Sequence, residues 1–314
     1  MDENALILKV FRHLEPGINP ELEVLRFLTA QGFRSIPALG GWYAYSGGPL
    51  TATLGLLQEY VAGAVGGWEL ALEEITDAPE RFLDRLGRLG EVTAQMHTAL
   101  GADPSDPAFA PEEPSVESLG LLTATVDEEI ARVFLALPDD DERLGPIVGR
   151  GEEVREQLRL LTHAGSSGRV IRTHGDYHLG QTLLSNNDWV ILDFEGEPAR
   201  TLVERRRKRS PLRDVAGMLR SFAYAATAAE LTRDADIPHD WEERARDRFL
   251  ESYLDTVDAT LLPPGEAAIE RLLAVFELEK AVYELRYELD NRPDWVGIPV
   301  AGIERLMNAA AEAL

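Results

Sequence analysis

Residues 169–198 read RVIRTHGDYHLGQTLLSNNDWVILDFEGEP, and this stretch decides the fold. Val170 and Ile171 predict a short strand, Thr182 to Leu184 a second and Trp189 to Leu192 a third. Ser185-Asn186-Asn187-Asp188 is a turn by composition. A hairpin therefore sits between two polar clusters, His174-Gly175-Asp176 with Gln181 before it and Asp193-Phe194-Glu195-Gly196-Glu197 after it. That order brings Asp176, Gln181, Asp193 and Glu195 towards one end of the hairpin.

Phosphoryl transfer from ATP needs such a set. Metal ions must neutralise the transferred group, and a carboxylate must orient or accept the proton of the attacking hydroxyl. Mg²⁺ is hard and is held through one or two carboxylates plus phosphates. Asp176 is then the candidate base, and Gln181, Asp193 and Glu195 are the candidate metal ligands. H-G-D-x-x-x-x-Q followed by D-F after a hairpin resembles the paired motifs of the protein-kinase-like fold. Gly175 in place of arginine is similar to the aminoglycoside phosphotransferase-like branch. The fold expected is α+β, with a small β lobe over residues 1–61 and a large, mainly helical lobe over 62–314.

The rest of the chain agrees with a kinase reading. Ala5 to Phe11 predicts a strand carrying Lys9. Asn19 and Pro20 predict the cap and first residue of a helix over Glu21 to Gln31. In kinase small lobes a strand lysine holds ATP phosphates and pairs with a helix acid, here Glu21. A first-turn acid also complements the helix dipole without any such partner. Leu50 to Gly55 and Leu56 to Val61 predict two strands, with Gln58, Glu59, Tyr60 and Val61 offering backbone groups to the adenine edge. Helices are expected over Leu70 to Leu89, continuing to Leu100, and over Leu119 to Leu137, Leu144 to Leu161, Pro211 (behind the N-cap Ser210) to about Ala229, Trp241 to Val257, Glu266 to Arg292 and Pro299 to Leu314. Asp214, in a first turn, either grips the catalytic loop from below or complements the dipole. Arg205-Arg206-Arg207-Lys208-Arg209 is a solvated loop or a loop beside the phosphates or the sugar.

Composition excludes several classes. The formal net charge of −24 argues against nucleic acid and anionic membranes, and no apolar run is long enough to span a bilayer. There are no cysteines, hence no disulfides or thiolate metal sites. With no basic region before the first apolar residues, a cytoplasmic chain is expected.

HGDYHLGQTL, ILDFEGEPAR, SPLRDVAGMLRSFAYAA and KAVYELRYELDNRPDWVGIPVAGI together resemble the bacterial maltokinases, including those fused to trehalose synthase. KVFRHLEPGINPELEVLRFLT is similar to the same family's lysine strand and helix. The resemblance implies Mg²⁺- and ATP-dependent phosphorylation of maltose to maltose 1-phosphate for glycogen-type synthesis, with a trehalose synthase as possible partner or fusion. It implies a sugar side built from His178, Lys280, Tyr283, Glu284, Tyr287, Arg292 and Trp295. The alternatives are the same chemistry on glucosamine or an aminoglycoside, or a non-catalytic sugar-binding module. In that family a cap subdomain and the first small-lobe strands precede the lysine strand. Here the lysine is residue 9, so a truncated small lobe with an unprotected edge at Ala5–Phe11 is expected.

Overall fold

The computed structural model describes residues 5–312, apart from 49, 139, 163–167, 199 and 234–236. The reading of residues 1–4, the helix stop at Asp139 and the end of the last helix at 313–314 lie outside them.

The chain starts with β1 (Leu6–Val10), α1 (Pro20–Ala30), β2 (Leu39–Gly47) and β3 (Leu50–Glu59). These strands form an antiparallel sheet in the order β1-β3-β2, with Lys9 opposite Leu56. β1 is an edge strand, and Leu6, Ile7, Leu8 and Val10 are each about half exposed. The two strands expected over 50–61 are one. Gly55 does not interrupt it: a Cβ there would meet Lys9 O at 2.5 Å and the Tyr43 ring at 2.6 Å. The glycine serves close strand and ring approach rather than a turn. α1 starts as its sequence dictates, with the Asn19 side chain accepting from Glu21 N and Pro20 in the first turn.

A short strand β4 (Val65–Gly66) leads to α2 (Gly67–Asp77), α3 (Pro79–Leu100), α4 (Val116–Leu135) and α5 (Gly151–Thr162). The single helix expected from Leu70 breaks at Ala78 (φ −155°, ψ 59°), because Pro79 pushes its predecessor out of helical geometry. The helix expected from Leu144 begins only at Gly151, behind Pro146 and a left-handed Gly149 (φ +76°).

Next come β5 (Thr182–Ser185) and β6 (Asp188–Ile191), an antiparallel hairpin extended by β4. Asn186 and Asn187 both take positive φ (50° and 62°), as a tight two-residue hairpin turn needs. Val170 and Ile171 form single bridges, to Glu112 and Arg209, rather than a strand. Helices α6 (Leu202–Arg205), α7 (Leu212–Arg233), α8 (Trp241–Thr256), α9 (Glu266–Asn291) and α10 (Gly297–Glu312) complete the chain. The larger core gathers Leu28, Phe82, Trp189, Phe222, Trp241 and Phe249 between α1, α3, α7, α8 and the hairpin. A second core packs α4 and α5 on α9 and α10 through Ile130, Val154, Val282 and Ile303. Asp176 and Asp193 flank the hairpin that the larger core holds. Among the described residues no helix is long and apolar enough to cross a membrane.

Candidate active site

The loops on either side of the hairpin pack on each other. Gly175 (φ +87°) faces Gly196 (φ +72°), where a Cβ on the first would stand 3.3 Å from the second's Cα. His174 Nε2 donates to Leu192 O at 2.7 Å, and Asp176 N donates to the same ring's Nδ1 at 3.4 Å. Asp193 adopts φ +60°, a conformation non-glycine residues rarely take outside functional turns.

From below, α7 supplies Asp214. Its buried carboxylate accepts His174 N at 2.7 Å, Gly175 N at 3.0 Å and His97 Nε2 at 3.2 Å, while Tyr253 O–H donates to His97 Nδ1 at 3.0 Å. Burial alone would raise the Asp214 pKa. His97, His174 and the Gly175 amide outweigh it and hold the carboxyl below the usual carboxylate range.

From above, Lys9 meets three acids. Its Nζ lies 2.7 Å from Glu21, 2.7 Å from Asp193 and 2.5 Å from Glu195. Oxygen atoms of those acids lie within 4.8 Å of one another. Burial, with Asp193 and Glu195 nearby, pushes the Glu21 pKa up to about 7 despite Lys9. Gln181 Nε2 sits 3.4 Å from Asp193 Oδ2, so its amide borders the same cluster. All these donors are oxygens or an amide, the donor class that suits a hard divalent cation.

The hinge expectation needs correction at two positions. The N–H of Glu59 donates to Ala38 O and that of Tyr60 to Ala5 O, so sheet pairing already occupies both. Gln58 turns its side chain to Glu21 (3.2 Å), and Val61 lies past the strand end.

Asp176 opens into a cavity of about 340 Å³ with Lys280, Tyr283, Glu279, Glu197 and Arg213 on its walls. Lys280 Nζ is 3.8 Å from Asp176 and lies over the Tyr283 ring. Of the other residues expected there, four have different partners, while His178 stays within reach of the charges of Asp176 and Lys280. Glu284 faces α7, in a buried ion pair with Arg220 (2.8 Å). Tyr287 and Trp295 carry the Arg292 guanidinium over their rings, and Trp295 stacks near Tyr224. A helix rises 1.5 Å per residue, so Tyr287 is already about 10 Å beyond Lys280. His178 uses its ring to accept Gly180 N at 3.1 Å, and burial lowers its pKa.

Sequence reasoning overlooked His97, in the last turn of α3 without a motif, and Glu197 and Glu279. The last two had a signal, in the acidic turn and beside Lys280. Two residues of the basic block hold α1 and the loop before it: Arg205 pairs with Glu15 at 2.5 Å and Arg206 with Glu23 at 2.6 Å.

A model of the phosphotransferase enzyme family matches residues 2–250. A glucosamine kinase of Streptacidiphilus jiangxiensis is 28% identical over 303 residues, covering 93% of this chain and 66% of the relative. A second, from Mycolicibacterium smegmatis, is 27% identical over 324 residues, covering 97% and 76%. The chain thus spans about two-thirds to three-quarters of these relatives. A solved glucosamine kinase superposes with TM-score 0.83 at 22% identity (96% of this chain, 73% of that one), and another, in complex with glucosamine, ADP and inorganic phosphate, with 0.82 at 23% (96% and 72%). The fold is thus the protein-kinase-like one, α+β, with a small sheet lobe and a large helical part.

Proposed function

The chain belongs to the phosphotransferase enzyme family, and from that premise we propose that it transfers the terminal phosphoryl group of ATP to a hydroxyl of a small amino sugar of the glucosamine class. One observation carries the reading: Asp176 stands between the acidic turn and a 340 Å³ cavity, within the size range of small-molecule sites. Both curated relatives are named for glucosamine, and neither for maltose or trehalose synthase. This supports the amino-sugar alternative over the maltose that the sequence resemblance implied. Glu284, Tyr287, Arg292 and Trp295, on which maltose leaned, stand away from the cavity.

In this reading Asp176 orients the acceptor hydroxyl and takes its proton. Tyr283 offers its ring to a sugar C–H face, and Lys280 meets charge on the phosphoryl group. Asp214 fixes the backbone that carries Asp176, and Glu21 sets the position of Lys9, which would turn to the phosphates. Asp193, Glu195 and Gln181 would hold Mg²⁺, which supplies neutralisation of phosphate charge when bound with nucleotide. The lobe boundary near residue 61 belongs to the same reading.

Coupled ADP release with glucosamine, maltose and kanamycin as acceptors tests it. Glucosamine should give the highest kcat/KM. A preference for maltose, or sugar-independent ATP hydrolysis alone, overturns it.

A further inference from the structure

A second chamber of about 400 Å³ opens from the Asp176 cavity and shares Arg200, Arg213, Phe276 and Glu279 with it. Its floor is apolar, built from Leu122, Val170 and Leu272, with Leu121 exposed at the edge. Its rim is basic in a chain of net charge −24: five cations line it, against Glu204 and Glu279. Both acids are already engaged. Glu279 accepts from Arg213 at 2.7 Å, and Glu204 closes the capping box of α6 with Thr201. Among the cations, Lys208 is held by Glu112 and by the carbonyl of Pro107.

Arg209 differs from its neighbours. Its backbone is pinned to Ile171 in both directions, at 2.8 and 2.9 Å. Its guanidinium has no hydrogen-bond or ion-pair partner among the described residues, and the side chain is half-buried in the chamber wall. Burial, then the charges of Arg213 and Arg200, push its pKa down to about 10. A planar fork of five donors, half-buried in a concave wall and without a protein acceptor, is well suited to an oxyanion.

We propose that this chamber binds a small organic anion, a carboxylate or phosphate ester of sugar size, with Arg209 as principal donor and Arg213 and Arg200 beside it. The anionic group has two possible sources. It is a carboxylate or phosphate carried by an acidic derivative of the amino-sugar acceptor, reaching over from the Asp176 cavity, or a separate sugar phosphate. The first source rests on the acceptor reading above; the second does not.

The test is calorimetric titration of the full chain, without nucleotide, with inorganic phosphate, glucose 6-phosphate and glucuronic acid. At least one probe should bind saturably and more weakly as salt rises. Arg209→Gln should bind it about ten- to a hundredfold more weakly, the worth of a lost charge-assisted contact, with partial recovery in Arg209→Lys. Thermal unfolding without ligand checks the variants, and Arg209→Gln should melt no lower than the parent because it removes an unpaired charge that Arg213 and Arg200 repel. Should it fail to fold, a weaker anion affinity in Arg209→Lys than in the parent carries the test. Binding by none of the three probes, or equal binding by the folded variants, overturns the proposal. Glucosamine kinetics separate the sources: an anion that raises only KM shares the acceptor's path, whereas one that leaves KM unchanged occupies the chamber as a separate ligand. Anion binding without turnover of any sugar keeps the chamber and sinks the acceptor reading, and turnover without anion binding does the reverse.

Discussion

The hairpin with its flanking loops and the segment 280–295 were equally rich in suggestive residues, yet they came apart in opposite ways. In the first, Lys9 and Asp193, 184 residues apart in sequence, end 2.7 Å apart in space. In the second, residues within sixteen positions disperse: Lys280 and Tyr283 to the Asp176 cavity, Glu284 to Arg220, Tyr287 and Trp295 to Arg292. A tight hairpin fixes which of its side chains converge. A helix deals successive residues onto different faces at about 100° per step, so closeness in sequence says little about convergence.

Substitutions can break this contrast or sharpen it. The largest effect is expected from Asp176→Asn, which should lower sugar-dependent ADP release about 10²–10⁴-fold without changing the melting temperature, because an amide cannot act as the base. Near-parent turnover would remove Asp176 from the chemistry. On the dispersed helix, Glu284→Gln should act on the fold. Leaving Arg220 buried and unpaired costs about 3–5 kcal/mol, read by denaturant unfolding, with KM for glucosamine unchanged in the surviving folded fraction. A raised KM with intact stability would return Glu284 to the sugar side.

Glu21 gives a pH signature of intermediate size. Its folded pKa, about 7, exceeds its ordinary value of 4.5. The folded state therefore binds its proton more tightly, and this contribution to stability is fully present below about pH 4.5 and lost as pH rises through about 7. It amounts to about 3 kcal/mol. Unfolding free energies of the parent and Glu21→Gln, measured from pH 4 to 8, should converge on different slopes, the parent losing the more. Parallel curves would show that Glu21 ionises normally. The smallest effects belong to the aromatic rings: Tyr283→Ala should raise KM for the sugar about tenfold, the loss of one ring contact, and Trp295→Ala should leave it unchanged. Equal effects would restore a single sugar-binding helix.

Much of this was legible in the chain. Asn19-Pro20 fixed where α1 begins, and Asn186-Asn187 fixed the hairpin turn, because cap and turn chemistry act over a few residues. Asp214 was readable two ways, and the amides of His174 and Gly175 on its carboxylate select between them. The hinge was not legible, since whether the N–H groups of Glu59 and Tyr60 are free depends on Ala38 and Ala5, far off in sequence. His97 could not be found either, because its worth lies in touching Tyr253 and Asp214, which no local pattern announces.

The neighbouring acids Glu21 and Glu23 give α1 a mechanical character. One is tied to Lys9 of the small sheet, the other to Arg172 and Arg206 of the helical part, at 2.6 Å each. Both ties leave the same helical turn, so the helix is a rocker and Glu23 its fulcrum. A ligand that draws Lys9 away breaks only the Glu21 tie, whereas moving α1 off the helical part must break both contacts of Glu23 at once. Arg172 lies four residues before Asp176, so α1 is held in register with the loop that carries Asp176 more firmly than with the small sheet.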